Sequence, residues 1–128
     1  MGLSKNFVGV MLVLLGTSYQ LGKASPQEAL RQFYADIDHQ DYAGAYGFLA
    51  EDWRKELSFG DFVQGFQDCR RPLCRINKVE WRTDRVALEV MLQFQDHRGQ
   101  AHCMQSQVVV VPAAAGWQLE RSDISSYQ

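Results

Sequence analysis

The sequence predicts a single α+β domain, helices first and an antiparallel sheet after them, and three observations carry that prediction. Capping signals punctuate residues 25–66, the apolar residues between them recur at helical spacing, and from Cys74 onward the pattern alternates in and out almost to the end. At 128 residues there is room for one such domain.

The helices follow in order. Ser25 reads as an N-cap, Pro26 as the first helical residue, and Glu28 as the side chain that bonds back to the cap amide. Ala29, Leu30, Phe33, Tyr34 and Ile37 then form one apolar stripe. Asp41 opens a second helical unit through residue 49, and Ser58, with Asp61 three residues on, opens a third. Aromatic residues are dense from Phe33 to Phe62, which predicts bulky side chains filling the space between helices and sheet.

Four strands are expected at residues 73–81, 86–94, 101–111 and 117–125, joined by turns at 82–85, 96–99 and 112–116. Val86, Leu88, Val90, Leu92 and Phe94 share one face of the second strand. Pairing Val79 with Leu88 sets Lys78 opposite Glu89 on the other surface. Pairing Val111 with Trp117 sets Gln107 opposite Arg121 and Gln105 opposite Asp123 on the inner face, which would then be apolar at one end and polar at the other. The outer row becomes His102, Met104, Ser106, Val108 and Val110, apolar enough at one end for a homodimer interface.

Residues 1–24 read as a secretory signal peptide: Lys5, an apolar run over 7–16, then small residues at Gly22 and Ala24. The run of about ten residues is short for a bilayer of roughly 30 Å; only an uncleaved segment would tie the chain to a membrane. The expectation is an exported domain, periplasmic or secreted, spanning 25–128. Cleavage removes Lys5 and Lys23 and no acid, leaving 11 basic against 15 acidic side chains. That balance argues against nucleic-acid binding. Arg70, Arg71, Arg75, Lys78, Arg82 and Arg85 are the local exception, read either as a solvated strand edge or as a docking patch for an anionic partner or membrane surface.

An oxidising compartment favours paired thiols. Cys69 and Cys74 flank Arg-Arg-Pro-Leu, a loop that would bring them together as a disulfide, with Cys103 left as an inert thiol. No Cys-x-x-Cys is present, His39, His97 and His102 show no metal-ligand spacing, and no cofactor motif occurs.

The run Ser-Pro-Gln-Glu-Ala-Leu-Arg-Gln-Phe-Tyr, then Asp-Tyr-Ala-Gly-Ala-Tyr-Gly-Phe-Leu, then Leu-Ser-Phe-Gly-Asp-Phe resembles the NTF2-like superfamily. The resemblance covers residues 25–127 and is closest to small exported members of unassigned function. It implies a cone of three N-terminal helices followed by a curved four-stranded antiparallel sheet, with a pocket between the first helix and the concave face. By position, Tyr34, Tyr46, Trp53, Phe62 and Phe66 reach that pocket from the helices, and Gln105, Gln107, Arg121 and Asp123 from the sheet. Two functions are implied. One is a non-catalytic domain binding a small molecule or a protein partner through the cavity or the sheet. The other is an isomerase or dehydratase with Asp123 as base and Tyr34 as donor. The family's usual base position, early in the first strand, holds Arg75, Ile76 and Asn77, which favours the binding domain.

Overall fold

The computed structural model describes residues 25–114 and 116–120. The expected signal peptide, Arg121 and Asp123 lie outside the described residues.

Helix α1 (Pro26–Asp38) begins as its sequence dictates: the Ser25 hydroxyl accepts from the Glu28 amide, and the Glu28 carboxylate accepts from the Ser25 amide. Its buried face is Ala29, Leu30, Phe33 and Ile37. Helix α2 (Tyr42–Tyr46) is capped by Asp41, whose carboxylate accepts from the Gly44 amide at 3.0 Å. Gly44 permits this cap, since a Cβ there would lie 2.6 Å from an Asp41 carboxylate oxygen.

Helix α3 (Glu51–Glu56) is an addition to the expected three. Its N-cap is Ala50, which has no capping side chain, and its short charged sequence carries no apolar stripe. Charge and a distant hydroxyl hold it instead. Glu51 and Asp52 sit in the first turn and Arg54 and Lys55 in the last, matching the helix dipole. The Tyr46 hydroxyl meets the carbonyls of Leu57 at 2.6 Å and Arg54 at 3.2 Å, where helical carbonyls lack partners. Helix α4 (Phe59–Phe66) starts at Ser58, whose hydroxyl accepts from the Asp61 amide.

The sheet runs β1 (Arg70–Trp81), β2 (Val86–Gln95), β3 (Ala101–Ala113) and β4 (Gly116–Glu120), antiparallel and in chain order. The Val79–Leu88 and Lys78–Glu89 pairs form as expected. Two irregularities in β1, between Arg70 and Leu73 and between Ile76 and Lys78, bend the strand and curl the sheet. At the first, Arg71 takes a left-handed backbone, φ 52°. Segment 48–50 covers the β4 edge: the Leu119 amide donates to Phe48 and the Leu119 carbonyl accepts from the Ala50 amide. Leu30, Phe33 and Ile37 of α1 meet Val86, Leu88, Val90 and Leu92 of β2, with Val110 and Leu119, in one core.

The expected β3–β4 register is corrected by one residue. Ala113 pairs with Gly116 and Val110 with Leu119, so strand pairing continues through Pro112 and the turn is two residues long instead of five. A one-residue slip exchanges the faces of a strand. Val110 is fully buried, Val108 and Met104 face the helices, and Gln105 and Gln107 lie on the outer surface. Met104, Ser106, Val108 and Val110, expected in a dimer interface, therefore face the concave side, while His102 at the end of that row is exposed.

Candidate functional site

The helices do not fill the concave face of the sheet. A cavity of about 310 Å³ remains between α1, α3 and α4 on one side and β2, β3 and β4 on the other. Its walls are apolar: Leu30 and Phe33 from α1, Phe66 from α4, Leu92 and Phe94 from β2, Val108 from β3. Trp53 closes it from α3. Into this lining come the polar side chains of Tyr34 and Ser106 and the thiol of Cys69. The acidic side chains in the lining, Asp68 and Glu120, are engaged elsewhere. Asp68 holds His97 Nδ1 at 3.0 Å with both oxygens, and Glu120 accepts from Arg85 at 2.7 Å. No cationic side chain lines the cavity among the described residues.

Phe33 organises the helical wall, meeting Tyr34 edge-on at 5.0 Å, Phe66 at 5.8 Å and Phe62 at 6.1 Å. The Tyr34 phenol is pushed well above its ordinary value by burial, with the nearby Cys74 and Cys69 thiols adding to the shift. It therefore stays a neutral hydrogen-bond donor at any physiological pH. Burial likewise raises the Cys69 thiol to about 12, with Asp38 contributing, and the Cys74 thiol to about 11 against a small opposing pull from Arg31. Neither is a reactive thiolate.

The expected site residues separate accordingly. Tyr34, Trp53 and Phe66 line the cavity. Tyr46 does not; its hydroxyl is spent on the end of α3, and Phe62 is a buried packer beneath the wall. Gln105 and Gln107 belong to the outer surface, for the register reason above. The polar end of the cavity comes from Ser106, on the β3 face read as outward in the sequence. Cys69 and Cys74 are free thiols rather than the expected bridge. The intervening Arg70–Leu73 stretch is strand, not loop, and an extended run of five residues spans up to about 16 Å, beyond the roughly 7 Å that a disulfide tolerates.

At the hairpin end of the sheet the Asp96 carboxylate accepts from the Arg98 and Gln100 amides and meets His102 Nε2 at 2.9 Å. The His102 contact, then the Gln100 amide, holds its carboxyl down at about 2. This constellation shapes the turn that carries His97 to Asp68, and no cluster of metal-ligand type occurs among the described residues.

No family model matches the chain, and no curated protein matches it in sequence. Solved structures do match. A SEC-C motif protein from Rhodopseudomonas palustris superposes with a TM-score of 0.68 at 14% identity, covering 80% of each chain. A protein from Thiobacillus denitrificans, named as a calcium/calmodulin-dependent protein kinase type II association domain, gives 0.61 at 15% identity over 77% of this chain and 96% of that one. One from Campylobacter jejuni, named as an NTF2-like transpeptidase, gives 0.53 at 12% identity over 77% of this chain and all of that one. At such identities the likeness speaks for fold alone. Helices packed into the concave face of a curved antiparallel sheet, and these neighbours, make this chain a protein of the NTF2-like fold.

Proposed function

We propose that the chain is an exported, non-catalytic domain that holds a small, neutral, largely apolar molecule in its cone cavity. The carrying observation is the lining: aromatic and aliphatic walls, a protonated Tyr34 phenol and the Ser106 hydroxyl, and no cation among the described residues. A ligand carboxylate or phosphate entering there would lose its hydration without gaining a counter-charge. A hydroxyl or carbonyl oxygen would gain the Tyr34 donor. An apolar cavity of about 150 Å³ accommodates benzene; at about 310 Å³ this one suits a molecule of two rings. Export rests on residues 1–24 and the signal-peptide pattern they carry.

The test compares 2-naphthol, 2-naphthoate and naphthalene by thermal shift and by quenching of Trp53 fluorescence. Saturable binding of 2-naphthol, no binding of 2-naphthoate, and a loss of about fivefold for 2-naphthol but not naphthalene in Tyr34→Phe are expected, since one hydrogen bond contributes roughly 1 kcal/mol. Equal binding of naphthoate, or no binding of either neutral probe, refutes the reading.

A further inference from the structure

The structure points to a second binding surface, on the outer face of the sheet: we propose that the groove over the hairpin end of β1–β2–β3 docks an acidic, extended segment of a partner protein. It lies across the sheet from the cavity, with Phe94 and Met104 in the lining of both.

An open groove of about 700 Å³ crosses the outer cross-strand row Leu73–Gln93–Cys103, with Gln95 beyond and Arg71 at its side. Leu73 is 56% exposed, which is high for a leucine in the middle of a strand pairing. Arg75 stands two residues further along the same face. Apolar floor, amides at the sides and arginines at the margin suit a peptide whose acidic residues alternate with apolar ones.

Charge accounting excludes other occupants. Of the six cations noted in the sequence, two are neutralised locally: Arg82 meets Glu80 at 3.2 Å, and Arg85 meets Asp84 and Glu120. Lys78 stands opposite Glu89. Arg70, Arg71 and Arg75 make no ion pair among the described residues. A second copy laid on this face would bring three uncompensated arginines against one exposed acid on the same surface, Glu89, which already stands opposite Lys78. Three cations are also fewer than the clusters of about 4–8 that mark anionic membranes and fewer than a tract of nucleic-acid phosphates demands.

The backbone adds an independent sign. Arg71 occupies the left-handed region, φ 52°, within a β-bulge. Arginine is disfavoured there, and bulges of this kind re-aim side chains next to functional sites. Here the bulge sets the guanidinium beside Leu73, at the groove.

Fluorescence anisotropy tests this with the full chain and a labelled peptide alternating glutamate and valine. Controls are a lysine–valine peptide, phosphatidylserine-containing vesicles and a single-stranded oligonucleotide. Selective, salt-sensitive binding of the acidic peptide is expected, weakened about tenfold or more by Arg75→Glu and by Leu73→Glu, and unchanged in Arg82→Glu, because like charge set against charge opposes association. Arg75 has ordinary strand geometry, so its variant reports binding even should Arg71→Glu fail to fold. Unchanged affinity in Arg75→Glu, no binding of the acidic peptide, or tighter binding of vesicles or oligonucleotide overturns the proposal.

Discussion

Replacing Phe62 by alanine should unseat helix α4. Phe62 is 2% exposed and is the buried residue of that eight-residue helix. Its ring lies 4.9 Å from Phe66, 5.3 Å from Tyr46 and 6.1 Å from Phe33, joining α4 to α2 and α1. Removing a buried phenyl costs about 3–5 kcal/mol, transfer and cavity terms together. Single domains have about 5–15 kcal/mol in total, so the loss is a large share. For a domain of this size each kcal/mol moves Tm by about 4–8 °C, and the variant should melt at least about 12 °C lower. Guanidinium denaturation followed by tryptophan fluorescence measures the change directly. Phe59→Ala is the comparison: Phe59 touches Tyr46 at 5.4 Å but is 45% exposed, and its loss should be under about 1.5 kcal/mol, near the ordinary effect of a point substitution. A Phe62→Ala loss no larger than that of Phe59→Ala would refute the account of how α4 is held.

Two glycine substitutions should act with opposite sign. Gly44→Ala displaces the Asp41 cap and should cost about 1 kcal/mol; Gly60→Ala, with nothing within 4 Å of the added methyl, should stabilise by up to about 1 kcal/mol, both read from denaturant midpoints. Asp96 has a folded pKa of about 2, below its unfolded value, so its contribution is present above about pH 4 and lost as pH falls through 2. Acid unfolding between pH 4 and 2 should therefore be less steep in Asp96→Asn, and an unchanged slope would remove Asp96 from the explanation. The thiols titrate in the opposite sense. Cys69 and Cys74, raised to about 12 and 11, contribute stability below about pH 8.5 that is lost as pH rises through those values. At pH 8 a disulfide reagent should therefore label exposed Cys103 first, with Cys69 and Cys74 lagging until the fold opens; equal rates for all three would contradict the burial.

What the sequence determined by itself was local. Ser25, Pro26, Glu28, Asp41 and Ser58 announce helix starts because a cap is a bond between near neighbours, and Val86 to Phe94 announce a strand because alternation is periodic. Helix α3 escaped because its support is remote: an uncapped start, no apolar stripe, and a hydroxyl from Tyr46 at its far end. The candidate site depended on the tertiary structure more heavily. The family resemblance puts Tyr34 and Trp53 in the cavity, whereas the expected hairpin register puts Gln105 and Gln107 inside and Ser106 and Val108 outside, the reverse of what the structure shows. The inner and outer faces of β3 differ by a single residue of register, and the Ala113–Gly116 pairing that sets it is a matter of turn length and of which side chains α1 can cover. A chain states its periods; only packing states their phase.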